Sequence, residues 1–367
     1  MSSVIAKFVD YIRGSGEYSV SVPPFDGALR PNEFIEAGEL VATAPEPDNL
    51  GFTPSGVVFS SGNSLLLLEK LPGTNAENHA TLLQQCPSTI TALAAHAQSL
   101  ALGLEGGGIV IRGGALDGRT FQVLGGQPIN CPTALAFQDD QTLLVANGSS
   151  RHSPSRWKLD LMEKIFSGSV WRLDLKSGAS QQLAGELGYP YGLLPFADGT
   201  ILVSECWRHR LVRINGQGPP QPVLTNLPAY PSRICNASSG GAWVAMFAPR
   251  RRLVEFVLRE PAYRKRMMTE IPSDYWIAPT LAPMRSFLEP LQGGTLKQLA
   301  RLKPWAPTPS YGLVVRIDEN DQPLQSLHSR ADGTRHGIRS VLELPGGLLA
   351  ASAGANAIVL MKLGQGA

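Results

Sequence analysis

The sequence is short of charge, of cysteine and of long apolar runs, and each shortage removes a class of protein. Charged residues make up 17% of the 367, against a usual ~25%, and 32 Lys+Arg against 30 Asp+Glu leave a formal charge of only +2. Near neutrality excludes a protein built to bind nucleic acid through its overall field. The four cysteines, Cys86, Cys131, Cys206 and Cys235, are too few for a disulfide scaffold and show no CxxC spacing, so they read as buried free thiols. No run of 18 apolar residues exists, and the N-terminus MSSVIAKFVDYIRGSGEYSV lacks the apolar core and small-residue cleavage site of a secretory signal. The expectation is a soluble, cytoplasmic chain. GxSxG, HExxH and Walker motifs are missing too, which removes the common local signatures of hydrolases, zincins and P-loop enzymes.

Turn formers are abundant instead. The 38 Gly and 29 Pro together reach about 18%, where ~12% is ordinary, while a hydrophobic content of 43% excludes disorder. These numbers predict a globular, all-β chain with many turns. One pattern recurs from about Gly56: a strand, a turn with Gly or Asp, then a second strand rich in Leu, Val and Ala, then a third. Copies begin at Gly56, Leu93, Ala134, Tyr191, Ser232 and Ile338. A repeat near 40 residues with three or four short strands is the mark of a β-propeller blade, which buries its faces only by stacking on neighbours around an axis.

The pattern therefore predicts a six-bladed β-propeller over residues 51–367, preceded by a helix and a closing strand within 1–50. Residues 1–16 show helical spacing and Tyr18 to Val22 is the candidate closing strand. Two insertions, 149–168 and 259–310, carry helical spacing and are expected to cap one mouth of the propeller.

Several stretches resemble the strictosidine synthase-like proteins: NGSSRHSPSRWKLDLMEKIFSGSVWRLDLKSG, YPYGLLPFADGTILVSECWRHRLVRI, LPAYPSRICNASSGGAWVAM and YGLVVRIDENDQPLQSLHSRADG. That family is similar to the SMP-30, gluconolactonase and paraoxonase propellers. The resemblance implies metal-assisted hydrolysis of lactones or esters, metal-free condensation of an amine with an aldehyde, or no chemistry. In hydrolytic relatives a Glu of the first blade, two Asn of middle blades and a later Asp hold a calcium-like ion. The matching positions here are Ser55, Thr133, Tyr191 and Ser232, with Arg233 beside the last, so no metal cofactor is expected. Condensing relatives use a Glu of the last blade as base, where this chain has Arg339. Arginine cannot act as a base, because its pKa exceeds 12.

The residues left for function are Arg233 and Arg339, which with Tyr191 suit an anionic group through paired guanidinium hydrogen bonds. His336, Glu343 and His152 are the candidate acids or bases, Trp276 a candidate cover for the funnel, and Ser155 to Lys158 spells an isolated SxxK. A basic cluster (Arg250, Arg251, Arg252, Arg264, Lys265, Arg266) beside Met267, Met268, Tyr275 and Trp276 raises a membrane surface as a partner. Three readings stay open: a small-molecule-binding enzyme, in which case a lactonase or esterase; a non-catalytic ligand-binding or scaffold propeller; and a metal-free amine–aldehyde condensing enzyme other than strictosidine synthase itself.

Overall fold

Short strands separated by tight turns assemble into six four-stranded antiparallel sheets arranged as blades. The computed structural model describes residues 22–69, 80–216, 218–283 and 309–363, with the backbone alone of 297–298 and 301–302. The innermost strands of blades 1 to 6 are Pro47–Thr53, Ile90–His96, Pro132–Phe137, Pro190–Pro195, Ala229–Asn236 and Ile338–Leu344. Each packs against the next, and the sixth packs against the first, closing the ring.

The last blade is completed from the other end of the chain. Glu39–Thr43 pairs antiparallel with Ala357–Met361, covering an edge that would otherwise template association. This corrects the expectation that placed the closing strand at Tyr18 to Val22, where residues 18–21 and the helix over 1–16 lie outside the described residues. The first blade also begins earlier than the repeat indicated. Gly56–Ser61 is its second strand, and Ser55 is an exposed residue of the turn leading into it, not a residue of the innermost strand.

Blade faces are apolar on both sides, as stacking requires. Ala92, Ala101, Ile109, Leu143, Val145 and Leu173 make one inter-blade layer, all buried. Small residues let the inner strands converge: a Cβ on Gly192 would stand 2.4 Å from the Ser232 carbonyl oxygen of the neighbouring blade. Hydroxyl and amide groups then stitch the inner strands into a hoop. Asn49 Nδ2 donates to Ile90 O (3.5 Å), Thr91 Oγ1 to Pro132 O (2.7 Å) and Thr133 Oγ1 to Pro190 O (2.5 Å). Ser204 Oγ donates to Ser232 O (2.6 Å), Ser232 Oγ to Ile338 O (3.3 Å), and the Leu50 amide to Ser340 Oγ (2.9 Å).

Strand direction decides where the insertions sit. An inner strand runs away from one mouth, its antiparallel partner returns to it, and both insertions leave from the end of such a returning strand, after Asn147 and Pro249. They emerge on the same mouth. The first contains α1 (Trp157–Glu163), shorter than its spacing indicated, and the second α2 (Arg252–Arg259) and α3 (Pro261–Glu270). Of the remaining helical expectation, MRSFLEPLQGGTLKQLARL lies largely outside the described residues. Where backbone is described there, Lys297–Gln298 pairs with Arg301–Leu302 as strands. The basic cluster is not one solvated face: Arg250 and Arg251 are buried, and Arg250 pairs with Glu255.

Candidate functional site

All six inner strands carry a register shift near their starts. A bulge leaves a residue out of the ladder and re-aims its side chain. The residues skipped are Asn49 and Leu50, Thr91, Thr133, Tyr191, Ser232 and Arg233, and Arg339. The backbone irregularity thus gathers one set of side chains and carbonyls at the axis. Thr133, Tyr191, Ser232, Arg233 and Arg339 are the positions expected from sequence; Asp48, Asn49 and Thr91 were missed.

Arg233 fills the axis. Its guanidinium donates from Nε to Asp48 Oδ1 (2.8 Å) and from Nη2 to Asp48 Oδ2 (3.0 Å) and Thr91 O (2.9 Å). Nη1 donates to Thr133 O at 2.6 Å, and the group lies 5.1 Å from the centre of the Tyr191 ring. One side chain from blade 5 therefore ties blades 1, 2 and 3. Burial works against the charge of Asp48, yet the charge and hydrogen bonds of Arg233, with the charge of Arg339, hold its carboxyl below the usual range. A carboxylate does stand on the first blade's inner strand, contrary to the sequence reading, and it is already neutralised.

Above this ion pair lies a cavity of about 490 Å³. Trp157 of α1 lines it together with Tyr189, Tyr191, Trp207 and Phe247. The rings form a continuous wall: Tyr189 stacks on Trp207 with centroids 4.6 Å apart, and Trp157 meets Phe247 edge-on at 5.7 Å. Across from them stand Glu46, Asp48, Glu105 and Arg339. Glu105 Oε1 accepts from Ser155 Oγ at 2.5 Å, so the serine of the SxxK stretch is engaged by an acid. Arg339 has one hydrogen bond among the described residues, from Nη2 to Glu46 Oε2 at 3.4 Å, and its side chain is 19% exposed. Burial pushes the Tyr191 hydroxyl up to about 12, so it remains a neutral phenol. Below the ion pair another cavity, of about 340 Å³, opens at the far mouth, lined by Asn49, Arg233 and the later parts of the inner strands.

The other expected site residues are not brought to this cavity. His336 is buried in the approach to blade 6, with Nδ1 2.7 Å from Ser310 Oγ and Nε2 2.8 Å from Arg330 O, and burial lowers its pKa. Glu343 sits at the far end of its strand and accepts from the Trp243 indole (2.6 Å) and from Ser238. His152 pairs with Glu163 at 2.9 Å within the first insertion. Ser232 is spent on the hoop, and Trp276 lines an adjoining outer cavity instead. The four cysteines are free, as expected, and burial pushes the Cys131 thiol up to about 12, which removes it as a thiolate nucleophile.

In sequence, the chain is 28% identical over 137 residues to adipocyte plasma membrane-associated protein of Danio rerio, covering 35% of this chain and 33% of that protein. The protein of the same name from Salmo salar is 28% identical over 154 residues, 39% of this chain and 37% of its own length. These matches span about a third of the length of those relatives. In structure, a Xanthomonas campestris gluconolactonase superposes with a TM-score of 0.55 at 13% identity, covering 89% of each chain. The chain is a six-bladed propeller, similar in part of its sequence to these strictosidine synthase-like relatives and in fold to the gluconolactonase structure. No family model matches it. Another neighbour, a regucalcin from Agrobacterium tumefaciens described as a calcium-binding protein, superposes at 0.53 with 12% identity, covering 89% of this propeller and 95% of that chain.

The resemblance seen in the sequence implies a calcium-like ion at the axis, and the axial residues can be set against that ion. They do not fit one. A hard cation wants several anionic oxygens, whereas the axial carboxylate here is bidentate to a guanidinium, and a further guanidinium, Arg339, stands on the next blade. Among the described residues no group of three or more His, Cys, Asp or Glu could hold a metal.

Proposed function

We propose that this propeller binds a small organic molecule with a flat apolar body and an anionic group in the cavity above the axis, and that it does so without a divalent ion. One observation carries the reading: an aromatic wall of Trp157, Trp207 and Phe247 faces Arg339, a guanidinium with most of its donors uncommitted among the described residues. Aromatic walls bury a flat ligand body, and a few polar groups fix its orientation. A guanidinium meets a carboxylate with two parallel hydrogen bonds.

No base suited to amine condensation stands in the cavity at the Arg339 position. With that, and with an axial carboxylate already paired to Arg233 rather than open to the metal of hydrolytic relatives, binding without turnover is favoured over the condensation and hydrolysis implied by the resemblance. Matched bicyclic probes test this by calorimetry in buffer containing EDTA: 2-naphthoate against 2-naphthylamine. Carboxylate preference of at least about tenfold, ~1.4 kcal/mol, is expected. Preference for the amine would assign the acids Glu46 and Glu105 the orienting role and overturn the anionic reading. Turnover of a lactone or aryl ester that chelator abolishes would overturn the non-catalytic, metal-free one.

A further inference from the structure

The axial cavity does not end at Arg339. An outer cavity of about 570 Å³ shares Glu46, Ser155, Trp157, Leu281 and Arg339 with it and extends outward between the two insertions. The lining changes character across that boundary. Inside are the stacked rings; outside are Arg156, Lys158, Ser273, Asp274 and Thr280. Among the described residues, three cations, Arg156, Lys158 and Arg339, and two acids, Glu46 and Asp274, line the outer part. Lys158 Nζ lies 3.5 Å from Ser273 O and 5.9 Å from the Trp157 ring, which holds its charge beside the mouth of the aromatic cavity. Arg156 is exposed at the rim.

We infer that the ligand carries a second anionic group, reaching past Arg339 into this outer cavity towards Arg156 and Lys158; this rests on the reading of the inner cavity above. A ligand with an aromatic head and a single carboxylate uses the wall and Arg339 alone. One with an aromatic head and a dianionic tail engages both cavities, with Arg339 at the junction bound by the nearer group. The excess of positive charge is local, because the whole chain is close to neutral. Since the outer cavity is open to solvent, its contribution is screened by salt and is largest at low ionic strength.

The test compares 2-naphthoate with 2-naphthoyl-aspartate by calorimetry at low salt, in the parent chain and in an Arg156→Ala/Lys158→Ala variant. The aspartyl compound is expected to bind the parent at least about tenfold more tightly, and that ratio is expected to fall close to one in the variant and in the parent at high salt. Equal affinities in the parent, or a ratio that survives in the variant, overturn the inference and leave the inner-cavity reading intact. Failure of both compounds to bind the parent overturns that reading and this inference with it. A folded variant is confirmed by an unchanged thermal midpoint, which is expected because both side chains lie at the surface of the cap rather than in the hoop.

Discussion

Arg233 and Arg339 lie in the bulges of adjacent blades, Arg339 at the position that Ser232 holds on blade 5 and Arg233 one residue further on, and the two have opposite fates. Arg233 is 8% exposed, bidentate to Asp48 and bonded to the carbonyls of Thr91 and Thr133. Arg339 faces the cavity with one long contact to Glu46, itself 65% exposed. Depth along the axis makes the difference. At the level of the hoop, inner strands are close enough for one guanidinium to reach three neighbours. Arg339, one residue nearer the mouth in register, finds among the described residues a single surface acid, Glu46. An offset of one residue between two bulges therefore separates an arginine that holds the fold from one that is available to a ligand.

The largest expected effect attacks the closed arginine. Arg233→Met leaves Asp48 buried without its counter-charge, which costs about 3–5 kcal/mol where such pairs have been broken. Denaturant unfolding checks it, and Arg233→Met with Asp48→Leu should recover most of the loss, because an apolar pair of similar volume removes the stranded charge. The pH dependence has a fixed sign. The folded pKa of Asp48 is lowered from 3.8, so its contribution is present above that value and is lost as pH falls. In Arg233→Met the carboxyl loses its partner and burial raises its pKa. The gap between parent and variant should thus narrow as the solution is made acidic. A gap that stays constant from neutral pH to about pH 4, near the ordinary carboxylate range, would mean that the ion pair is not its source.

The same comparison shows what was legible beforehand. Six blades could be read from the repeat, because each blade's second strand and its turn keep a local apolar pattern. Thr133, Tyr191, Ser232 with Arg233 beside it, and Arg339 could be placed at inner-strand starts because they match the functional positions of the family the chain resembles. Blade 1 resisted this reading. Its inner strand, PDNLGFT, contains an Asp, an Asn at φ 58° and a Gly, which locally spell a turn. It pairs with Gly56–Ser61 of its own blade, and its irregular middle is held from other blades: Arg233 on Asp48, Ile90 O on Asn49 and Ser340 on Leu50. Those partners lie 41 to 290 residues away, so no local pattern announces them. The closing strand failed for the same reason, since Glu39–Thr43 is chosen by a partner at the opposite end of the chain. Nor did the aromatic wall show as a unit: Trp157, Trp207 and Phe247 come from an insertion and two different blades.

A smaller effect, and on binding instead of folding, is expected at the open arginine. Arg339→Met removes one weak contact in the unliganded protein, and surface pairs of that kind contribute ~0–1 kcal/mol. Its thermal midpoint should stay within a few degrees of the parent, while affinity for 2-naphthoate falls by at least about tenfold. Arg339→Lys sharpens the point: a point charge that cannot form the bidentate pair should recover only part of the loss. If Arg339→Met instead unfolds the protein as Arg233→Met does, the two arginines are alike and the distinction between them fails.

The smallest effect concerns the ion that the fold's relatives raise. A guanidinium already satisfies the axial carboxylate, so a divalent cation entering there would have to break two charge-assisted hydrogen bonds and sit beside a like charge. Anything that binds the native state alone stabilises it in proportion to its occupancy. Calcium in millimolar excess, or EDTA, should accordingly move the parent's thermal midpoint by no more than about 1 °C. The informative chain is Arg233→Ala, where Asp48 is left with space beside it. A calcium-dependent rise in its midpoint, absent from the parent and from Arg233→Ala/Asp48→Asn, would show that Arg233 holds the place of the cation. A rise in the parent itself would instead put a metal site in the native propeller and require Arg233 to move away from Asp48.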